Sequence, residues 1–249
     1  FVARAKDRAA NYAITHSTIS FLYDITPATS VVLDPANNEY CGPNNTLSII
    51  SGTAADVVPG SGLSASGLSK VELRIYDETD GKYWNEQTWV VNESTWVTAA
   101  NTTNWTYTSP AWTDGNRYRI NVKTYDIAGN ISPMTTSYFM WDATYPTLAI
   151  QKPNRQYHPT LSTISGTAND AIPAGSGKTR ADLYKSQVAI QYDPDSNGNW
   201  WDGSGFNIAG QGGGATPSNA WKDKDSGAPL AGWYYTGLPN WSTYNGTKF

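Results

Sequence analysis

A short block of residues occurs twice in this chain and constrains the fold more than any other feature. In the second copy an alternating run, Tyr118–Lys123, leads into a turn, Tyr125–Asn130, and then into a second apolar run, Thr136–Trp141. Alternation predicts a half-buried strand, and the Gly-Asn pair that ends the turn tolerates the positive φ of a hairpin. The same pattern opens the chain, as Ala3–Asn11 followed by Ile19–Tyr23. A two-strand unit that recurs indicates a chain built from repeats.

Further landmarks recur in the same order along the chain. Ile50–Asp56 matches Ile164–Asp170, and each is followed by a Pro, a Gly/Ser loop and an alternating strand, which gives a period of about 115–120 residues. Several short strands separated by turn residues, without a convincing amphipathic helix, predict all-β sandwiches in tandem. The sequence also aligns two pairs of tryptophans, which are predicted to pack in the cores: Trp84 with Trp200, and Trp105 with Trp221.

Composition narrows the classes of function. The 249 residues carry a formal charge of −4, with no run of basic residues and no apolar stretch of membrane-spanning length. We therefore expect neither nucleic-acid binding nor membrane insertion. The single cysteine, Cys41, excludes an internal disulfide framework. The chain begins without Met or a signal peptide, so we interpret it as a piece of a longer protein or as a processed product.

The ordered motifs resemble a known family. They are I-S-G-T-A-x-D, a Ser/Gly loop, a V-x-L-x-I strand, a Trp, and then Y-D-x-A-G-N and D-x-T-x-P. This order is similar to that of bacterial immunoglobulin-like (Big-type) repeats, the tandem modules of large extracellular surface proteins and adhesins. The resemblance implies tandem immunoglobulin-like Greek-key β-sandwiches, a surface or secreted location, and a structural or adhesive role without catalysis. The sequence departs from the family at Ala10, where the turn usually has Gly.

The repeat pattern predicts three segments. Residues 1–24 form the last two strands of an Ig-like domain, residues 25–142 form a complete domain, and residues 143–249 form a domain that lacks its last two strands. An open sandwich exposes its core and its strand edges, and a lone hairpin is marginally stable.

We therefore expect the hairpin of one copy to complete the open sandwich of the next, in a surface fibre, stalk or sheath. The copies are either repeats of one covalent array or subunits that polymerise head to tail. The residues predicted to carry this self-assembly are Phe1, Ala3, Ala5, Ile19, Phe21, Tyr23 and Phe249.

Aspartates at the domain ends give a calcium hypothesis. In an Ig topology the chain entry and two of the loops lie at the same end, which gathers Asp24, Asp56 and Asp126, with Asn130 nearby. Carboxylates without basic neighbours repel each other unless a cation or hydrogen bonds compensate, and oxygen ligands suit Ca²⁺. The alternative is that these aspartates cap turns by accepting backbone N–H bonds. The equivalent set at the next junction is Asp142 and Asp170, joined by Asp7 and Asn11 of the completing hairpin.

Three tryptophans give an alternative function. Trp89, Trp96 and Trp233 have no clear counterpart in the other repeat, so they are candidates for exposed contacts with a glycan in an adhesin. A third class, an accessory module of a polysaccharide-active enzyme, would need a catalytic domain outside this chain. No catalysis is expected within it, because His16 and His158 lie in different repeats without a nucleophile motif.

Overall fold

A computed structural model shows an all-β, Ig-like architecture, as the sequence predicts. It describes residues 1–91, 95–193, 198–210, 215–225, 227 and 229–249, which form two compact units, Phe1–Asp142 and Ala143–Phe249. Among these residues no helix has the length and apolarity needed to cross a membrane. The Greek-key connectivity and the division into three segments stay predictions.

The first unit consists of an N-terminal hairpin and a sandwich of two sheets. The hairpin pairs β1 with β2. In the sandwich one sheet has the order β10-β5-β3, and the larger sheet has the order β4-β12-β11-β6-β7-β8, with β9 also paired to β6. The strands are β1 (Val2–Ala3), β2 (Ser17–Thr18), β3 (Thr29–Asp34), β4 (Glu39–Cys41), β5 (Ile49–Ala55), β6 (Leu68–Asp77), β7 (Lys82–Trp84), β8 (Trp89–Val91), β9 (Val97–Thr98), β10 (Asn104–Thr108), β11 (Asn116–Asp126) and β12 (Thr135–Trp141).

Strands β6 and β11 form the centre of the larger sheet because their sequences alternate. Leu73 and Ile75 of β6 lie opposite Val122 and Ile120 of β11 in an antiparallel ladder. All four side chains are 0–1 % exposed. Full burial of side chains of this size contributes about 1.5–3 kcal/mol each, so this row anchors the core of the unit.

A short parallel pair closes the edge of the larger sheet. The chain leaves β3 in one sheet and enters β4 in the other, where β4 runs parallel to β12. Hydrogen bonds extend the pair at both ends, from Asn38 N to Tyr138 O at 2.6 Å and from Asp142 N to Cys41 O at 2.9 Å. The first segment of the sandwich is thus attached to both sheets.

The second unit repeats much of this plan with shorter strands. One sheet has the order β13-β14-β17, which corresponds to β3-β5-β10, and a two-stranded sheet pairs β15 with β16. Two short 3-10 helices, Ser218–Ala220 and Trp241–Tyr244, lie among the described residues of this unit. The strands are β13 (Thr147–Lys152), β14 (Ile164–Asn169), β15 (Gln187–Val188), β16 (Lys222–Asp223) and β17 (Tyr234–Tyr235).

The structure corrects the pairing of the tryptophans. Trp105 packs on Gly52 and Trp233 packs on Gly166, so closely that a Cβ atom at either glycine would overlap the indole ring. Trp233 also lies beside Gly166 in the backbone ladder, with Gly166 N donating to Trp233 O at 3.0 Å. The counterpart of Trp105 is therefore Trp233, and the predicted match with Trp221 is wrong.

The counterpart of Trp84 also differs from the predicted one, and Trp96 does have a counterpart. The isolated bridge between Gln191 and Trp200 repeats the pairing of Tyr76 with Tyr83, so the residue that follows Trp200 is the counterpart of Trp84. Trp221 stands just before β16, in the place that Trp96 occupies before β9.

Candidate functional site

Three aspartates from separate segments meet at one end of the first unit. Asp24 lies on the connection from the hairpin to β3, Asp56 follows β5, and Asp126 ends β11. One carboxylate oxygen from each lies within 4.8 Å of the other two. Asp24 and Asp126 are buried and Asp56 is half-buried. The structure thus brings together the three aspartates that the sequence analysis places at this end.

The loop just before β6 holds two of these carboxylates. Asp24 accepts hydrogen bonds from Thr26 N at 2.9 Å and from Ser66 N at 2.7 Å, and these bonds lower the pKa of Asp24. Asp56 Oδ2 accepts from Gly67 N at 2.6 Å. Asp56 Oδ1 is buried and accepts no hydrogen bond from the described residues. The turn-capping alternative therefore explains the hydrogen bonds of Asp24 and of Asp56 Oδ2, but it gives no partner to Asp56 Oδ1.

Asn130 links two members of the cluster. Its backbone N donates to Asp126 Oδ1 at 2.8 Å, and its Nδ2 donates to Asp126 Oδ2 at 2.7 Å and to Asp24 O at 3.2 Å. The side chain therefore turns its nitrogen toward the carboxylates. In this arrangement Asn130 positions Asp126 and does not offer the oxygen that the calcium hypothesis assigns to it.

The electrostatics of the cluster favour a cation. Two ionised carboxylates about 5 Å apart repel each other by about 3 kcal/mol at an effective dielectric constant of about 20. No ion pair among the residues that the structure describes involves Asp24, Asp56 or Asp126. Oxygens separated by 4.8 Å or less can bind one ion at Ca²⁺–O distances of about 2.4 Å. The donor set and the buried Asp56 Oδ1 therefore fit Ca²⁺.

The N-terminal hairpin contains the same turn as the one that ends β11. Asn11 N and Nδ2 donate to the two oxygens of Asp7 at 2.8 and 2.9 Å, and these bonds lower the pKa of Asp7. Ala10 has φ 73° where Gly129 has φ 92°. A left-handed residue other than Gly costs about 1–2 kcal/mol, so the turn forms in spite of Ala10.

The second predicted ligand set draws on more than one part of the chain. Asp142 ends the first unit, and Asp170 lies in the second unit, where it is 5 % exposed. Asp7 and Asn11 lie in the hairpin and are engaged with each other. Calcium binding by this set stays a prediction.

One face of the hairpin presents apolar side chains to solvent. Phe1, Ile19 and Phe21 are 81, 68 and 65 % exposed, and the rings of Phe1 and Phe21 stack at 5.5 Å. Strands β1 and β2 pair in the register of β11 and β12, which makes Phe1 the counterpart of Ile120 and Phe21 the counterpart of Phe139. Those two residues are 0 and 1 % exposed. The hairpin therefore exposes apolar side chains whose counterparts in the first sandwich are buried in the core.

The remaining predicted hairpin residues share this orientation. Ala3 and Ala5 are exposed and follow Phe1 at two-residue spacing, which places them on the same face of the strand. Tyr23, at the end of the second arm, is 75 % exposed. All six hairpin residues predicted to carry self-assembly therefore remain accessible.

Among the described residues β15 (Gln187–Val188) pairs with a strand on one side only, and further along this edge Lys248 O accepts from Asp193 N at 2.9 Å. Its pairing with β16 repeats the pairing of β6 with β9, and Lys224 N donates to Ser186 O at 3.1 Å as Ala99 N donates to Val71 O at 3.0 Å. On its other side β6 pairs with β11. No strand among the described residues pairs with that side of β15. The second unit thus presents an open edge at the position that β11 fills in the first.

Phe249 occupies the place of a β11 residue in the second unit. Its ring packs against Trp241 at 5.0 Å, as Tyr118 packs against Trp112 at 4.8 Å. In both cases the indole N–H donates to a leucine carbonyl oxygen. Phe249 is the counterpart of Tyr118, but it is 41 % exposed where Tyr118 is fully buried.

The structure weakens the aromatic platform of the glycan hypothesis. Trp233 is 2 % exposed in the core of the second unit, so its assignment to an exposed ligand contact is wrong. Trp89 is half-buried and packs against Tyr118 at 5.5 Å. The ammonium group of Lys123 lies 4.0 Å from the Trp96 ring centroid, where a sugar would have to stack.

Comparison with known proteins places part of the first unit in a family. Residues 42–143 match the family model of the bacterial Ig-like domain. This segment is a bacterial Ig-like domain, and the resemblance seen in its motifs is confirmed. Such domains are typically non-enzymatic structural modules and indicate repeats of extracellular surface proteins. No curated protein matches the chain.

Two solved structures show low overall similarity. The fibronectin(III)-like modules of Clostridium thermocellum CbhA are 17 % identical over 66 % of this chain and 70 % of that chain, with a TM-score of 0.32. The FN1–FN3 domains of chicken CNTN1 are 11 % identical over 80 % of this chain and 61 % of that chain, with a TM-score of 0.26. Scores this low support no conclusion about function.

Proposed function

We propose that the chain is a non-enzymatic structural segment of an extracellular fibre, stalk or sheath, whose Ig-like sandwiches are completed by strand exchange. The hairpin of residues 1–24 from one copy adds to the open edge of β15 in the next. The copies are repeats of one covalent array or separate subunits joined head to tail. The observation that carries the proposal is the match between the exposed apolar face of the hairpin and the open edge of the second unit.

The backbone of the hairpin suits this edge. Phe1 O accepts from Ile19 N at 3.0 Å and Ala5 O accepts from Ala13 N at 2.8 Å, so these residues direct their backbone groups toward the other arm. Backbone groups alternate in direction along an antiparallel ladder, so Val2 and Arg4 direct theirs to the free side. A strand with one paired and one free side is the structure that β-strand addition requires.

Burial supplies the driving force. Full burial of a Phe or Ile side chain contributes about 1.5–3 kcal/mol, so the three large residues of the hairpin face contribute about 5–9 kcal/mol. Joining separate molecules costs about 4–15 kcal/mol in lost freedom. A covalent link lowers this cost, because it raises the effective concentration to the millimolar range. Exchange is therefore stronger within an array than between free subunits.

A synthetic peptide of residues 1–24 tests the exchange in both forms. The receptor is the full chain carrying Phe1→Ser and Phe21→Ser, which disable its own hairpin face at exposed positions. We expect the peptide to bind and to raise the melting temperature of the second unit. A peptide N-methylated at Val2 and Arg4 should not bind, because it cannot donate to the open edge.

A control and a refuting outcome complete the test. A peptide with Ile14→Ser changes a residue that is 98 % exposed and lies in the turn region between the two arms, so it should bind like the wild type. If the wild-type peptide leaves the melting temperature unchanged, or the methylated peptide binds equally well, strand exchange is refuted.

The carboxylate cluster adds calcium to the proposal. Asp24 belongs to the connection between the hairpin and the first sandwich, so an ion bound by Asp24, Asp56 and Asp126 would stiffen that connection. Calcium at 100 times its dissociation constant should stabilise the folded unit by about 2.7 kcal/mol.

Titration calorimetry with Ca²⁺ on the full chain tests this part. Asp56→Asn should abolish binding because it removes one charge and the oxygen without a partner, whereas Asp182→Asn, an exposed aspartate outside the cluster, should have no effect. Absence of binding heat together with an unchanged melting temperature in Ca²⁺ would rule out the site.

A further inference from the structure

We propose that Arg4 of the hairpin stacks on Trp221 of the sandwich that it completes, and that this cation–π contact fixes the register of the exchange. The inference rests on the strand exchange proposed above. It names a contact that neither unit makes by itself.

The first sandwich shows the arrangement in complete form. Lys123 of β11 places its ammonium group 4.0 Å from the ring centroid of Trp96, and the same group lies 3.0 Å from Glu72 of β6. Trp96 stands just before β9, which also pairs with β6. One cation on β11 thus contacts an aromatic ring and a carboxylate on the outer face of the sheet.

The hairpin contains the counterpart of the cation, and the second unit contains the counterpart of the aromatic ring. Arg4 precedes Asp7 by three residues, as Lys123 precedes Asp126, so the matching turns make Arg4 the counterpart of Lys123. Trp221 stands just before β16 as Trp96 stands before β9, and it is 44 % exposed.

The ring of Trp221 is available for a cation. Arg74 also lies over the Trp96 ring, at 4.9 Å, but the matching pairs of β6–β9 and β15–β16 place Ala189 at the position of Arg74. No cation lies over Trp221 among the described residues. The second unit therefore supplies an aromatic ring without the cation that covers its counterpart.

Arg4 is well placed to supply that cation. Its guanidinium group lies 3.9 Å from the ring centroid of Tyr12 in the hairpin, and a planar guanidinium can stack on aromatic rings. Asp223 of β16 follows Trp221 by two residues, and its Oδ1 accepts from Gln187 Nε2 at 2.9 Å and pairs with Lys185 at 3.2 Å. Gln187 is the counterpart of Glu72, so the carboxylate of this site stands on the neighbouring strand and its Oδ2 would be the oxygen that faces Arg4. Arg4 would meet both a ring and a carboxylate there, as Lys123 does.

The contact discriminates between registers. A slip of one residue would move Arg4 to the core side of the sheet and the Phe1 side chain to solvent. A slip of two residues in one direction would place Val2 opposite Trp221 and remove the cation. The opposite slip would bring the cation of Lys6 there, but it would put Ala3 in the place of Phe1 and lose the largest apolar contact of this strand. A cation–π contact at a partly exposed site corresponds to about a twofold to thirtyfold change in affinity, so it adds specificity to the apolar contacts.

A double-mutant cycle tests the contact. The receptor is again the full chain with Phe1→Ser and Phe21→Ser, with and without Trp221→Leu, and the binding of a labelled 1–24 peptide is followed by fluorescence polarisation. Arg4→Ala should weaken binding about twofold to thirtyfold, whereas Arg4→Lys should retain most of the affinity. Arg8→Ala, a change of another cation in the same peptide, should have no effect.

The second receptor separates stacking from hairpin stability. If Arg4→Ala acts only by loosening the contact with Tyr12, the loss of affinity persists on the Trp221→Leu receptor. We expect it to disappear there. Equal affinity of the wild-type and Arg4→Ala peptides for the unmodified receptor, or a loss that persists on Trp221→Leu, overturns the stacking and leaves strand exchange intact. Failure of the wild-type peptide to bind overturns both proposals.

Discussion

Substitution of one glycine by alanine should lower the stability of the first unit, although alanine normally suits a strand better than glycine. Gly52 lies in the middle of β5, between β3 and β10. A Cβ atom at this position would overlap the carbonyl oxygen of Val31 and the indole ring of Trp105. Trp105 is 0 % exposed and the carbonyl belongs to the backbone of β3, so neither can move away freely. Gly52→Ala must therefore displace a strand or the largest side chain of the core.

The expected magnitude follows from this double obstruction. Overpacking of a core typically costs about 1–3 kcal/mol, and a backbone obstacle favours the upper end. A loss of about 3 kcal/mol is a large part of the roughly 5–15 kcal/mol by which domains are stable. It raises the open population about 150-fold. At an unobstructed strand position the same substitution would stabilise the unit by about 0.5–1 kcal/mol. The sign of the change in unfolding free energy therefore tells whether a Cβ atom at position 52 is obstructed.

The single cysteine offers a probe of this opening. Cys41 lies in β4 of the first unit, is 4 % exposed, and has its thiol pKa raised to about 12 by burial and by the charges of Glu39 and Asp34. A disulfide reagent should therefore label it only in the open state. Gly52→Ala should raise the labelling rate of the full chain about 150-fold, in proportion to the open population, provided that closing is faster than labelling.

Matched variants control the experiment. Gly166→Ala creates the equivalent overlap with Trp233 in the second unit, so it should lower the stability of that unit and leave Cys41 labelling unchanged. Gly60→Ala meets only the Leu63 side chain, at 3.5 Å, and should be neutral. A Gly52→Ala chain that labels no faster than the wild type would refute the account of Trp105 packing.

Three further predictions follow from individual residues. The Cys41 thiol has a pKa of about 12 in the folded unit and 9.0 without burial. Because the thiol of the unfolded state ionises first, the first unit should lose stability as the pH rises above 9. Cys41→Ala should reduce this loss, measured by urea denaturation at pH 8 and 10.5. Hydrogen bonds from Asn207, Ser204 and Gly205 lower the pKa of Asp202. The stability that these bonds contribute should therefore be complete above the unfolded pKa near 3.8 and should decline at lower pH. Asp202→Asn should reduce the acid sensitivity of the second unit in chemical denaturation. Ala10→Gly should stabilise the hairpin by about 1 kcal/mol because it relieves the positive φ of 73°, and circular dichroism of the 1–24 peptide should show more strand; an unchanged spectrum would contradict the strain.

The sequence predicts the repeat and the carboxylate cluster because both depend on topology. Strands with two-residue alternation leave little freedom in which side chains enter the core, and Ig connectivity brings Asp24, Asp56 and Asp126 to one end. The tryptophan pairs could not be aligned in this way, because the connection from Trp96 to Trp105 is shorter than the one from Trp221 to Trp233. Spacing alone therefore paired the wrong rings.

A different signal was available for the tryptophans. The glycine of each I-S-G-T-A motif marks where a large ring lies against the strand, since no other residue leaves room for it. The roles of Ser66 and Asn130 could not be inferred, because they depend on how loop amides turn toward the carboxylates. Side-chain orientation in loops is set by local hydrogen bonds that no periodicity encodes.

The parallel pairing of β4 with β12 determines how the first unit carries mechanical load. The chain enters the sandwich through β3 and then β4 and leaves it after β12. Tension along the proposed fibre would therefore pull β4 and β12 in opposite directions along their length, once the load passes β3. The hydrogen bonds between them, from Asn38–Tyr138 to Cys41–Asp142, are then loaded together in shear and cannot be broken one after another. Pulling on single molecules should reveal a high rupture force for this unit, and a variant with Tyr40→Pro, at the centre of β4, should break at a lower one. In the proposed surface fibre, each such module would resist extension through a few short bonds at the edge of one sheet.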